Sequence, residues 1–288
     1  MPIDYALILS AGMGTRMGEI GKKIPKVLWP IYFKSLLELQ IRYCQEMGIR
    51  QIYINTHYLH SEIMSFLGDA GLGSAVTVLH EYPLLDSGGA IHNLAVQPEV
   101  NYKGNLLMVN GDQFLFFEKK FWEEAVDKLK NSRAVLFGIK VQKYADYNET
   151  VIAKNRLIDI QKNTKKDHDY ITYSGLGLLR LNDLPPVPGI SRFFDTVANY
   201  KAESISMIAP DNFEYWDFGT SEIYSRNIFK LRNKNERESE MGRFMERNGA
   251  FKGDEKLFLD GSASAIDIEC SGSFRENTIH GKGIFQKI

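Results

Sequence analysis

Cysteine is nearly absent from this chain: of 288 residues only Cys44 and Cys270 carry a thiol, and they stand far apart. That excludes a disulfide framework or a cysteine-rich zinc module and predicts a reducing compartment. An excess of one charge is lacking too, since 35 Lys+Arg against 36 Asp+Glu leave a formal net charge of −1. Recruitment to nucleic acid or an anionic membrane by bulk charge is thereby excluded, although a local basic patch is not. No apolar run approaches the ~18 residues of a membrane span, and Met1-Pro2-Ile3-Asp4 lacks the basic start of a secretion signal. The expectation is a cytoplasmic protein whose partners are neither nucleic acid nor membrane.

What is present is an ordinary globular composition, 44% hydrophobic, 12% aromatic and 25% charged, long enough for one large α/β domain or two smaller ones. Strand-like apolar runs recur at 5–10, 51–56, 75–80, 105–110 and 134–141, and segments of helical period such as 34–47 and 119–130 separate most of them. Strands alternating with helices predict a mainly parallel sheet covered on both faces. Beyond Tyr144 the pattern changes to shorter strand candidates at 151–154, 157–161 and 171–180, which predict an antiparallel second half. Leu184-Pro185-Pro186-Val187-Pro188-Gly189 reads as a stiff loop, with helices starting near Ser191 and Thr220. The mixed charges from Lys230 to Arg247 read as a solvated helix face, and the Gly/Ser-rich alternations after Gly249 as a small β-rich tail.

The chemistry concentrates at a few turns. The first strand ends in Ser10-Ala11-Gly12-Met13-Gly14-Thr15-Arg16-Met17, followed by Pro25-Lys26-Val27-Leu28. Glycines at 12 and 14 let backbone N–H groups turn toward one point and approach phosphate oxygens, while Arg16 and Lys26 add positive charge. Met17 stands where a dinucleotide fingerprint needs its third glycine, and Gly21-Lys22-Lys23 lacks the Ser or Thr of a Walker loop. A glycine pair alone is equally a tight βα turn; the added Thr15-Arg16 and Pro25-Lys26 favour a ligand.

Asp112 follows the strand 105–110 directly, where the edge of a parallel sheet places ligand-binding groups, and Asp217 precedes the helix expected near Thr220. Two such carboxylates brought together beside a polyphosphate could hold Mg²⁺. Taken singly, Asp112 reads equally as a turn aspartate and Asp217 as a helix-cap neighbour. In Asp86-Ser87-Gly88-Gly89-Ala90 the glycine amides could meet a nucleobase edge, or Ser87 could cap a helix, or both. Gly175, in Tyr173-Ser174-Gly175, lets a sugar ring approach or marks a bulge. His57 and His60 have no third ligand nearby and read as loop or packing residues rather than a metal site.

Taken in order, Ala-Gly-x-Gly-Thr-Arg-Met, Pro-Lys-x-Leu, Ser-Gly-Gly-Ala, Asn-Gly-Asp, Tyr-Ser-Gly and Trp-Asp-x-Gly-Thr resemble the sugar-1-phosphate nucleotidyltransferases, over residues 5 to about 231. The resemblance implies a Rossmann-like, mixed and mostly parallel sheet sandwiched by helices, the nucleotide-diphospho-sugar transferase fold. It also implies a cytoplasmic enzyme of nucleotide-sugar biosynthesis that joins a sugar 1-phosphate to a nucleoside triphosphate and releases pyrophosphate. A nucleotide-binding half over 1–143 and a sugar-binding half over 144–231 would form the catalytic domain. Residues 232–288 would be a charged helix and β-rich extension, a candidate surface for homo-oligomers.

Carried over by position, the resemblance implies catalytic roles for Arg16, Lys26 and Asp112, and nucleotide binding by Ala11, Gly12, Gly14, Thr15, Arg16, Ser87 and Gly88. Asn110, Lys162 and Gly175 would meet the sugar, and Asp112 with Asp217 would ligate Mg²⁺. Gln161-Lys162 departs from the family's usual Glu-Lys, so a carboxylate to a sugar hydroxyl is missing, and Tyr32-Phe33-Lys34-Ser35 replaces Gly-Lys/Arg-Pro-Leu. Asn55-Thr56-His57-Tyr58-Leu59 and Leu84 to Gly89 look most like the N-acetylmuramate-1-phosphate uridylyltransferases, which serve the cell envelope. Guanylyltransferases for heptose or mannose 1-phosphate come next. A cytidylyltransferase acting on a small phosphorylated alcohol such as phosphocholine, and a non-catalytic nucleotide-sugar-binding module, are the rival readings.

Overall fold

The computed structural model describes residues 2–14, 21–162, 167–231, 234–251, 266–270, 277–281 and 284–287. Thr15, Arg16 and the alternation Leu257-Phe258-Leu259 lie outside the described residues.

Among the described residues nine strands form the main sheet: β1 (Tyr5–Leu9), β4 (Gln51–Thr56), β5 (Thr77–His80), β6 (Asn105–Asn110), β8 (Ala134–Val141), β9 (Glu149–Ala153), β10 (Arg156–Gln161), β11 (Tyr170–Arg180) and β12 (Ile205–Ile208). Their order across the sheet is β5-β4-β1-β6-β11-β8-β12-β10-β9. A two-residue hairpin, β2 (Pro30–Ile31) with β3 (Lys34–Ser35), lies between β1 and β4 in the chain. The first four strands of the main sheet run parallel. The long β11 then enters antiparallel between β6 and β8, and β12 returns parallel to β8. The antiparallel strands β9 and β10 therefore extend the same sheet rather than lying on it. The sheet is mixed and mostly parallel, as the resemblance implied.

Period-2 alternation divides the core between two faces. Ala6, Ile8, Leu107, Val109, Val135 and Phe137 point to one side, and Leu7, Leu106, Met108, Ala134 and Leu136 to the other. The first side is covered by α1 (Leu36–Glu46), α2 (His60–Asp69), α4 (Lys119–Lys128), α6 (Ser221–Lys230) and α8 (Glu240–Arg247). The second is covered by α3 (Asp86–Ala95) and the four-residue α5 (Phe193–Thr196). Caps set several of the starts: Glu38 N donates to Ser35 Oγ at 3.0 Å ahead of α1, and Ile223 N to Thr220 Oγ1 at 3.2 Å ahead of α6.

A two-stranded antiparallel pair, β7 (Gln113–Phe117) with β13 (Phe213–Asp217), stands apart from the main sheet with Gln113 opposite Asp217. Neither strand is among those expected from the sequence. Buried side chains of α1 fasten the pair: Gln40 Nε2 donates to Gln113 O at 2.6 Å and the Tyr43 hydroxyl to Leu115 O at 2.5 Å. The charged run 230–247 is no single solvated helix. It breaks into α7 (Lys234–Arg237) and α8, and α8 buries Met241, Phe244 and Met245 completely. The Glu214 carboxylate of β13 accepts from Glu240 N at 2.8 Å and Met241 N at 3.0 Å, satisfying orphan donors at the start of α8. The expected C-terminal strands form a three-stranded antiparallel sheet, β14 (Ile266–Cys270), β15 (Asn277–Gly281) and β16 (Ile284–Lys287).

Candidate active site

The loop after β1 and the turn after β6 meet at the carboxyl edge of the parallel strands. Gly111 N donates to Leu9 O at 3.0 Å, which sets Asp112 beside the opening glycine loop. From the far strand pair, Phe218 N donates to Asp112 O at 2.9 Å, so Asp217 and Asp112 arrive together. A Cβ placed on Gly219 would lie 2.8 Å from Asp217 Oδ1 and 3.4 Å from Asp112 Oδ2. Both carboxylates thus face one point, and both residues are 8% exposed.

Lys26 completes the group. It opens the short 3₁₀ turn Lys26–Leu28, where Val27 and Leu28 are buried and the lysine turns to Asp112, its ammonium bonded to Oδ2. Asp217 is held from two sides: Gly219 N donates to Oδ1 at 2.7 Å and the Tyr147 hydroxyl to Oδ2 at 2.6 Å. Burial first, and the neighbouring Asp112 carboxylate second among the raising causes, push the Asp217 carboxyl above its ordinary range, against the opposing pull of Tyr147, Gly219 N and Lys26.

Two converging carboxylates with a buried, mutually repelling charge fit a hard divalent cation. Among the described residues no group of three or more His, Cys, Asp or Glu could hold a metal ion alone, so such an ion would complete its shell with phosphate and water oxygens. His57 and His60 belong to no such group. His57 Nδ1 lies 2.9 Å from Glu81 O, and His60 pairs with Thr56 Oγ1 at 2.8 Å and stacks on His80 at 4.1 Å between ring centroids.

Beside the carboxylates lies a cleft of about 650 Å³. Asn110, Lys162 and Ser87, all expected at the site, line it together with Asp86, Asn148 and Arg192, which the sequence did not single out. A groove of about 810 Å³ lies beside β7 and β13 but is lined by none of the expected residues. The cleft, which three of the expected residues line, is the better candidate.

Gly175 sits at φ +85°, where L side chains are strained, against an amide pair in which Asn110 Nδ2 donates to Gln113 Oε1 at 2.7 Å. Gly88 has a packing part of its own. A Cβ there would meet the Ser191 and Arg192 backbone at 2.7 Å, and Gly89 N donates to Ser191 O at 3.0 Å. The glycine pair thus allows α3 to pack against the segment leading into α5, and the Gly89 amide is already occupied. Nor does Ser87 cap α3: Leu85 is the N-cap residue, and the Asp86 carboxylate accepts from Ser87 N at 2.5 Å.

A buried polar relay links the loop after β1 with the turn ahead of α3. Ser10 N donates to Asn55 Oδ1 at 2.7 Å, Asn55 Nδ2 to Glu81 Oε1 at 2.9 Å, and Leu85 N to Glu81 Oε2 at 3.0 Å. Burial pushes the Glu81 carboxyl up, and the Leu85 amide and Asn55 oppose that push. The sequence signal for it is faint: polar Asn55 and Glu81 at the ends of apolar strands.

Three comparisons bear on this arrangement. The sequence profile described as nucleotidyl transferase matches residues 5–150. D-glycero-alpha-D-manno-heptose 1-phosphate guanylyltransferase of Campylobacter jejuni is 29% identical over 147 residues, covering 51% of this chain and 62% of that protein. The enzyme of the same name from Aneurinibacillus thermoaerophilus is 27% identical over 154 residues, covering 53% and 65%. The chain therefore matches less than two thirds of the length of either relative. Among solved structures, HddC from Yersinia pseudotuberculosis complexed with GMP-PN gives a TM-score of 0.66 at 22% identity over 80% of this chain and all of that one, a likeness of fold.

Proposed function

From the premise that this chain belongs to the nucleotidyl transferase family, we propose that it joins a sugar 1-phosphate to a nucleoside triphosphate, giving a nucleotide-sugar and pyrophosphate. The observation that carries the reading is the convergence of Lys26, Asp112 and Asp217 at the sheet edge beside the glycine loop. A sugar phosphate is largely dianionic near neutral pH, its second pKa being about 6, so its oxygen attacks the α-phosphorus without a general base. The P–O bond to pyrophosphate breaks as the new bond forms.

What the protein must supply is relief of repulsion between two polyanions held in line. Lys26, already bonded to a carboxylate, is placed to stabilise charge developing on phosphate oxygens. Asp112 and Asp217 would hold Mg²⁺, which when bound neutralises the phosphates. Asn110 and Lys162 would orient the sugar phosphate from the cleft wall.

For the base, guanine is the first reading. Both relatives reported above are guanylyltransferases, and the Asp86 carboxylate in the cleft suits the adjacent N1–H and N2–H₂ donors of guanine. Uridine with N-acetylmuramate 1-phosphate is the second, supported by the motifs 55–59 and 84–89. The test is a matrix of GTP, UTP, CTP, dTTP and ATP against heptose, mannose, glucose and N-acetylmuramate 1-phosphates and phosphocholine, scored by product mass. A GDP-sugar lost in Asp112→Asn is expected. Absence of any nucleotide-sugar from folded protein with Mg²⁺ overturns the reading, and a CDP-choline product alone transfers it to phosphorylated alcohols.

A further inference from the structure

Tyr147 lies in the loop between β8 and β9, within the half that carries the sugar side of the cleft, yet its hydroxyl reaches Asp217 Oδ2 at 2.6 Å. The terminal torsion of a carboxylate is broad and two-fold, so a single hydrogen bond leaves its plane loosely set. Gly219 N fixes one oxygen of Asp217, and Tyr147 fixes the other. Asp112, of the same charge, faces it from the opposing turn and favours any rotation that separates the two. Without the Tyr147 hydroxyl, the carboxylate is free to turn away from the point that both now face.

The loop itself is clasped. The Tyr170 hydroxyl, at the start of β11, lies 2.5 Å from Ala145 O and 2.9 Å from Tyr147 O, and Tyr147 N donates back to it at 3.3 Å. One hydroxyl proton serves one carbonyl at a time, so the clasp can shift between two carbonyls. The residue after Tyr147, Asn148, lines the cleft. A molecule seated in the cleft therefore touches the loop one residue away from the group that sets Asp217.

We propose that Tyr147 is a positioning residue for the Asp217 carboxylate, and that the Tyr170-clasped loop makes occupancy of the sugar side tighten the cation site. The proposal rests on the reading of the cleft as a sugar-phosphate site and of the carboxylate pair as a cation site. Reciprocity requires that, if the sugar phosphate tightens cation binding, the cation tightens sugar-phosphate binding by the same factor.

The experiment follows free Mn²⁺ by its electron paramagnetic resonance signal in titrations of the full chain, the Tyr147→Phe variant and the Tyr170→Phe variant. Each is run with and without mannose 1-phosphate or N-acetylmuramate 1-phosphate, and unfolding midpoints are measured alongside. Loss of a hydrogen bond to a metal ligand typically costs about 10-fold or more in metal affinity or activity, and that weakening of Mn²⁺ binding is expected for Tyr147→Phe. Its kcat should fall by a similar factor, with KM for the triphosphate little changed. Tyr170→Phe should keep Mn²⁺ affinity in the absence of sugar phosphate but lose the tightening that sugar phosphate produces.

A merely structural role would lower the unfolding midpoint and leave the Mn²⁺ affinity of folded protein alone. Unchanged Mn²⁺ affinity in Tyr147→Phe overturns the positioning role. Wild-type Mn²⁺ affinity that no sugar phosphate alters overturns the coupling. If the wild type binds Mn²⁺ but forms no nucleotide-sugar with any substrate pair, the functional reading fails, while the positioning role of Tyr147 is still decided by the Mn²⁺ affinity of Tyr147→Phe.

Discussion

Replacing Gly175 with alanine tests the proposed sugar side of the site with a single methyl group. Gly175 adopts φ +85°, and the added Cβ would overlap Gln113 Oε1 and lie 2.5 Å from Asn110 Nδ2. Holding an L residue in the left-handed region costs roughly 1–2 kcal/mol. Displacing the Asn110–Gln113 amide bond removes a further ~0.5–1.5 kcal/mol. The expected destabilisation is about 2–3 kcal/mol, since both costs are met at once. Urea unfolding followed by circular dichroism reads it as a shift in midpoint at constant slope. Gly12→Ala is the paired control: a Cβ there meets nothing within 4 Å, so stability should hold within about 0.5 kcal/mol. Nucleotide binding should suffer in Gly12→Ala and KM for the sugar phosphate should rise in Gly175→Ala. A Gly175→Ala variant within about 0.5 kcal/mol of wild type would show that the amide pair yields at no cost and refute the reasoning.

Asp217→Asn should abolish turnover yet raise the unfolding midpoint at pH 7 in metal-free buffer. The folded Asp217 carboxyl lies above its unfolded value, so stability falls as pH rises from the ordinary carboxylate range through the folded value; the variant escapes this loss. The two proteins should converge below a pH of about 3.9, and an Asn variant less stable than wild type at pH 7 contradicts the account. Lys26→Ala should lose about 2–4 kcal/mol in kcat, the scale of a preorganised charge stabiliser, and single-turnover kinetics with an unchanged chemical step would reject that role. Asn55→Ala leaves Ser10 N without its side-chain acceptor and Glu81 Oε1 without its donor, while Leu85 N still holds Oε2, and should cost about 2–4 kcal/mol in urea unfolding. A loss under about 1 kcal/mol would mean the relay from Ser10 to Leu85 is not a structural link.

Local periodicity made most of the main sheet legible, because β1, β4, β6 and β8 carry enough apolar residues to declare themselves within a single window. The pair β7 and β13 escaped for the opposite reason. Gln113-Phe-Leu-Phe-Phe117 continues a turn, and Phe213-Glu-Tyr-Trp-Asp217 precedes a helix, so each becomes a strand only by finding the other about a hundred residues away. The two converging carboxylates, Asp112 and Asp217, stand where the sequence placed them, at the end of a strand and before a cap. Their supports were not, since Tyr147 on Asp217 and Gln113 on Asn110 are contacts of side chain with side chain that no local pattern encodes. At Gly88 the motif did not reveal the packing need: its missing side chain makes room for the Ser191–Arg192 backbone.

The carboxylates are spaced by a β-ladder, in which Gln113 pairs with Asp217 and Asp112 stands one residue further along. A pleated ribbon moves only in whole steps of roughly 3.3 Å, each of which turns every side chain to the opposite face. The gap between the two acids is therefore quantised. Point substitutions can weaken this centre gradually, whereas inserting or deleting one residue within 113–117 should silence it outright. Chimaeras built from relatives should keep the spacing of the two acids only where both ribbon arms keep the Gln113–Asp217 register.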